Sequence, residues 1–123
     1  MNPRVLVVDD DVHTVALIRA SLEKGGFSVL TAPNGRIAES LLESSGFNAA
    51  VIDLMLPEGS GKDVVRLLRK SNHSRTIPIL ILTAKSIDSE RKELADMGAN
   101  DYMTKPFNPA ELVRRLKALI YSQ

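Results

Sequence analysis

Asp53 closes an apolar run, Ala49-Ala50-Val51-Ile52, and is followed by Leu54-Met55-Leu56-Pro57. Asp9, Asp10 and Asp11 close a second run, Val5-Leu6-Val7-Val8. The run from Ile77 to Leu82 ends in Thr83-Ala84, and Asp101-Tyr102-Met103-Thr104 ends in Lys105-Pro106. Carboxylates, a hydroxyl and an ammonium thus all stand at the ends of strand-like segments. In an open parallel sheet the carboxyl ends share one edge, and ligands bind there. Asp9, Asp10 and Asp53 carry about three negative charges at neutral pH, which a divalent cation plus Lys105 would balance. The donors are hard oxygens with no His or Cys, so Mg²⁺ is the expected metal, with Mn²⁺ able to substitute. The bland alternative stays open: Asp11 caps a helix and the other acids are solvated. Adjacent strand side chains point to opposite faces, so Asp9 and Asp10 share a site only if the chain turns there.

Short β-branched runs alternate with stretches of helical period. The pattern predicts strands near 4–8, 27–31, 48–53, 77–83 and 101–104. It predicts helices near 12–24, 35–44, 61–71, 87–97 and 109–121. The last helix is the clearest, with Leu112, Val113, Leu116, Leu119 and Ile120 on one face. Asn108 reads as its cap, Pro109 as its first residue and Glu111 as the partner in a capping box. Gly25-Gly26, Gly46 and Gly98 fall where helices should end, because glycine tolerates a left-handed backbone. Alternating strands and helices imply a parallel sheet covered on both faces.

The chain has 123 residues, 44% hydrophobic and 25% charged, which suits one domain spanning 1–123. A net charge of +1 implies no global field that demands nucleic acid or membrane. The absence of cysteine excludes disulfides and thiolate metal sites and fits a cytoplasmic location. Met1-Asn2-Pro3-Arg4 runs straight into the first strand, so no signal peptide is expected. The chain stops three residues after Ile120, so no output domain is expected. The first strand-to-helix turn carries acids where a dinucleotide fold needs G-x-G-x-x-G, which argues against phosphate cradled on backbone. Lys62, Arg66, Arg69, Lys70 and Arg75 form a basic stripe, but no helix-turn-helix or aromatic platform accompanies it, so it reads as a solvated helix.

Taken together, these pieces resemble the receiver domain of two-component response regulators. The resemblance rests on Val7-Val8-Asp9-Asp10, Asp53-Leu54-Met55-Leu56-Pro57, Gly61, Thr83-Ala84 and Tyr102-Met103-Thr104-Lys105-Pro106-Phe107, in this order along essentially the whole chain. It implies a flavodoxin-like α/β fold: a doubly wound five-stranded parallel sheet in order 2-1-3-4-5 with five helices. It also implies a signalling domain that accepts a phosphoryl group on Asp53 from a phosphohistidine. The donor would be a sensor histidine kinase or a histidine phosphotransfer protein.

The resemblance gives Asp10 the role of direct metal ligand and Asp9 that of its acidic partner, acting through water. The Met55 carbonyl would add a backbone oxygen. Lys105 would reach Asp53 and then the phosphoryl oxygens, aimed by a cis peptide at Pro106. Thr83 would donate its hydroxyl, Ala84 would leave room for the donor, and Tyr102 would turn inward as Thr83 moves. The domain would be no enzyme beyond its own phosphotransfer and autodephosphorylation. The 87–121 face would contact a second copy or an output partner, and neither nucleic acid nor membrane would be bound directly. Lys62 departs from the apolar residue common there, and this departure is expected to leave the chemistry untouched. Two other classes compete. A haloacid-dehalogenase-type phosphatase would need a second Asp where Met55 stands, and a pseudo-receiver would lack one of the acids, the hydroxyl or the lysine.

Overall fold

The structure is a computed structural model that describes residues 2–44, 46–57, 59–86 and 88–122. The strands are β1 (Arg4–Val8), β2 (Ser28–Ala32), β3 (Ala49–Ile52), β4 (Ile79–Thr83) and β5 (Asp101–Thr104). The helices are α1 (Val12–Lys24), α2 (Gly35–Ser44), α3 (Gly61–Lys70), α4 (Arg91–Met97) and α5 (Pro109–Tyr121). All strand pairs are parallel, in the order β2-β1-β3-β4-β5. This is the flavodoxin-like α/β architecture that the alternating pattern and the resemblance implied.

The period of two along each strand sorts the core into two layers. Leu6, Val8, Ala50, Ile52, Ile79 and Ile81 face one side, under Ala38 and Leu42 of α2, Val64, Val65 and Leu68 of α3, and Leu94 of α4. Val5, Val7, Ala49, Val51, Leu80 and Leu82 face the other, under Ile18 and Leu22 of α1 and Leu112 and Leu116 of α5. Each fully buried Leu or Ile contributes about 1.5–3 kcal/mol. The central strands thus anchor the sheet edge from which the polar residues emerge.

Several element ends differ from the sequence reading, each for a local reason. Phe27 is not in β2, because its N–H bonds Leu22 O at the end of α1. The third strand spans 49–52 rather than 48–53, and Asn48 instead accepts the Arg4 N–H on its side chain at 2.8 Å. β4 begins at Ile79 rather than Ile77: the Ile77 N–H closes a turn on Ser74 O, and Pro78 has no N–H to give a ladder. α3 stops at Lys70, since Ser71 is extended. α4 is shorter than the expected 87–97, because 88–90 form a turn and the helix begins at Arg91. Ile87 lies outside the described residues.

The caps are mostly those the sequence suggested. Asp11 caps α1, accepting the Thr14 N–H at 3.3 Å. Asn108 accepts the Glu111 N–H at 3.0 Å. Glu111 does not close the box, because its carboxylate pairs with Arg114 and Arg115. The reciprocal box is found at α3 instead, between Ser60 and Asp63. Gly98 ends α4 in the left-handed region at φ 110°. After α1 the left-handed residue is Gly26, while Gly25 stays right-handed.

Candidate functional site

Parallel pairing of β1 with β3 sets Val8 opposite Ile52, so the residues that follow, Asp9 and Asp53, emerge side by side. The backbone fixes both: Asp9 N–H bonds Ala32 O at 3.1 Å and Asp53 N–H bonds Val8 O at 2.9 Å. Neither carboxylate is free to drift. Asp9 Oδ1 accepts the Asp11 N–H, and Asp53 Oδ1 accepts the Met55 N–H, each at 3.0 Å. Both are buried, at 3% and 6% exposure. Two buried carboxylates repel unless a cation stands between them. Lys105 Nζ does so, donating to Asp9 Oδ2 and to Asp53 Oδ2 at 2.7 Å each.

Lys105 arrives from β5, whose register pairs Thr83 with Thr104. Its backbone N–H continues that ladder onto Thr83 O at 2.9 Å, and its bond to Pro106 is cis. Burial pulls the ammonium's pKa down, but the hydrogen bonds to Asp53 and Asp9 outweigh it, so the pKa ends above the ordinary lysine value. Thr83 is fully buried, and its Oγ1 accepts the Lys85 N–H at 3.3 Å. A shallow cavity of about 380 Å³ opens beside Lys105, lined by Thr14, Leu17, Ala84, Pro106 and Phe107.

The structure thus brings together Asp9, Asp53 and Lys105, with Thr83 one backbone bond from the lysine. Asp10 is not in that network. It is exposed, and it makes no hydrogen bond or ion pair among the described residues. The chain leaves β1 at Val8, so Asp9 turns inward and Asp10 outward. Met55 is exposed and pairs with Ser60 across an isolated antiparallel bridge. Among the described residues, no three Asp, Glu, His or Cys side chains converge to hold a metal ion by themselves. The donor chemistry still suits a hard cation: two fixed carboxylates and an exposed third, against a single ammonium.

Tyr102 is half-buried, with its hydroxyl donating to Arg91 O at 3.1 Å and the Arg91 guanidinium 4.7 Å from its ring centre. Burial pushes the phenol's pKa up. Sequence reasoning missed the parts that Ser60 and Lys62 play beside the site, while Gly61 was already among the residues that carry the resemblance. Ser60 was given no role, though Ser60-x-x-Asp63 has capping-box spacing. Gly61 packs so closely that a Cβ there would lie 2.2 Å from Asp53 O. Lys62 crosses to Glu93 of α4, which no local spacing announces.

The model of the response regulator receiver domain matches residues 5–117. The chain belongs to this family. It is 40% identical over 98% of its length to the alkaline phosphatase synthesis transcriptional regulatory protein PhoP of Bacillus subtilis, covering 49% of that protein. It spans about half the length of the curated relatives it matches. Among solved structures, a chemotaxis protein CheY4 of Vibrio cholerae superposes with a TM-score of 0.92 at 28% identity, over 97% of this chain and 99% of that one. The receiver domain of a Pseudomonas aeruginosa sensor histidine kinase gives a TM-score of 0.87 at 32% identity, over 98% of both chains. That structure is described with a magnesium ion coordinated in its active site cleft. The chain is therefore a receiver of the two-component response regulators.

Proposed function

We propose that this receiver accepts a phosphoryl group on Asp53. The observation that carries the reading is the Lys105 ammonium held 2.7 Å from both buried carboxylates, Asp9 and Asp53. Asp53 Oδ attacks the phosphorus of a phosphohistidine, the P–N bond breaks, and the imidazole leaves with the bonding pair and takes up a proton. The product is an acyl phosphate. Water then attacks the same phosphorus, returning the carboxylate and inorganic phosphate. Lys105 follows the charge from carboxylate to phosphoryl oxygen, which suits a flexible point charge. Thr83 donates its hydroxyl hydrogen to another phosphoryl oxygen.

Asp9, Asp10, Asp53 and the Met55 carbonyl would hold Mg²⁺ or Mn²⁺, with water completing the shell. The cation supplies charge neutralisation and alignment for the transfer. The partner supplying phosphate is a sensor histidine kinase or a histidine phosphotransfer protein. Exposed Leu17 and the half-buried Phe107 give its docking side an apolar rim, and small Ala84 leaves the approach open. No helix among the described residues is long and apolar enough to cross a membrane. Tyr102 and the 87–121 face carry the signal to a second copy or an output partner.

The test is intact mass after incubation with acetyl phosphate and Mg²⁺, beside Asp53→Ala and EDTA controls. One added phosphoryl group, absent from both controls, is the expected result. An adduct that survives Asp53→Ala would remove Asp53 from the role. No adduct from acetyl phosphate or a phosphohistidine donor would favour a receiver that docks without phosphorylation. Steady turnover of a free phosphate monoester would favour a phosphatase.

A further inference from the structure

Charges fasten the loop that follows Thr83. Lys62, in the first turn of α3, bonds Glu93 of α4 and lies 3.7 Å from Glu90 Oε1. The same Glu90 oxygen accepts from Lys85 Nζ at 2.8 Å. Lys85 in turn gives its backbone N–H to Thr83 Oγ1. A continuous series of contacts thus runs from α3 through Glu90 and Lys85 to the buried hydroxyl.

Two features set this cluster apart from ordinary surface pairs. Lys62 and Glu90 side chains are only 21% and 20% exposed, against 51% and 66% for the neighbouring Arg66–Asp63 pair. Glu90 also occupies the N-cap position of α4 yet caps nothing. An acidic N-cap ordinarily accepts a helix N–H. Here one oxygen serves two lysines, while Oε2 is buried with no hydrogen-bond partner among the described residues.

We propose that Lys62 is a positioning residue: acting through Glu90, it holds Lys85 and keeps Thr83 at its resting place while Asp53 is unmodified. The inference rests on the reading of Asp53 as acceptor and Thr83 as its hydroxyl donor. Movement of Thr83 toward phosphoryl oxygens must strain the Lys85–Glu90–Lys62 series. The latch therefore favours the unmodified state, and by linkage the phosphoryl group weakens the latch.

The test has two arms on the same variants. The first records amide relaxation dispersion over residues 84–90 with no phosphoryl donor or mimic present. Lys62→Met and Glu90→Gln should each raise exchange there, the double variant no further, and Lys62→Arg should restore the wild-type profile. The second measures fluoroberyllate affinity with Mg²⁺. Lys62→Met should bind about threefold more tightly, as expected for one partly exposed ion pair, and Lys62→Arg should match wild type. Unchanged loop exchange in Lys62→Met, additive effects of the two single changes, or equal fluoroberyllate affinity would overturn the proposal. If wild type binds no fluoroberyllate while the first arm comes out as expected, the latch stands and the acceptor reading fails.

Discussion

Lys105 is one ammonium shared by two buried carboxylates, which makes it the residue whose loss is felt most. Without it, Asp9 and Asp53 face each other with no charge between them. Removing one partner of a buried ion pair costs about 3–5 kcal/mol. Lys105→Met is expected to lose stability in that range at pH 7 in metal-free urea titrations. The alkaline side gives an independent sign. The Lys105 pKa is raised on folding, burial being outweighed by its two carboxylate bonds, so its stabilisation is complete below the ordinary lysine value. It is lost as the pH climbs from about 10 through the raised value. Wild type should therefore lose stability faster than Lys105→Met in that range. Parallel alkaline slopes would show that the ammonium contributes nothing to the fold.

The elements that carry the site were legible where one local rule decided them. Apolar runs of four or five residues ending in acids located β1 and β3, and Asp11, Asn108 and Pro109 marked helix starts. The same rules failed where a distant contact decided. The start of α4 moved to Arg91 because residues 88–90 form a turn, and no local spacing announced that Glu90 pairs with lysines from a loop and from another helix. Asp9 and Asp10 were legible as acids near the site, but which one turns inward depends on the residue at which β1 ends. The β3–α3 connection belongs to the same class. Gly61 N–H bonds Leu54 O at 3.0 Å, and a Cβ at Gly61 would meet Asp53 O and Leu54 Cα. Gly61→Ala must push the segment that holds Asp53 and Met55. Overpacking of this kind costs about 1–3 kcal/mol. The expected outcome is a lower melting temperature together with slower phosphoryl uptake from acetyl phosphate. Normal uptake at reduced stability would mean that the loop shifts without moving the Asp53 carboxylate.

At the scale of the molecule, the sheet separates two tasks. Its carboxyl edge holds the acids and Lys105, and the α4–β5–α5 side presents charges to solvent. At rest several of those charges are paired within the chain: Arg115 with Glu111 and Asp101, Arg114 with Glu111, and Arg91 against the Tyr102 ring. Exchanging internal pairs for equal pairs across a two-fold axis gains little, since exposed ion pairs contribute about 0–1 kcal/mol. A resting chain should therefore sediment as a monomer. Modification of Asp53 changes the balance only if it moves Tyr102, whose hydroxyl ties β5 to the start of α4 at 3.1 Å. Release of that bond would free Arg91 and Tyr102 for a partner surface, a rearrangement that the internal pairs alone cannot drive. Sedimentation velocity with fluoroberyllate and Mg²⁺ should then show a monomer–dimer equilibrium. It should weaken at high salt and in Arg115→Ala, where Asp101 and Glu111 lose a partner. A monomer under both conditions would assign the face to an output partner, tethered or separate, rather than to a second copy.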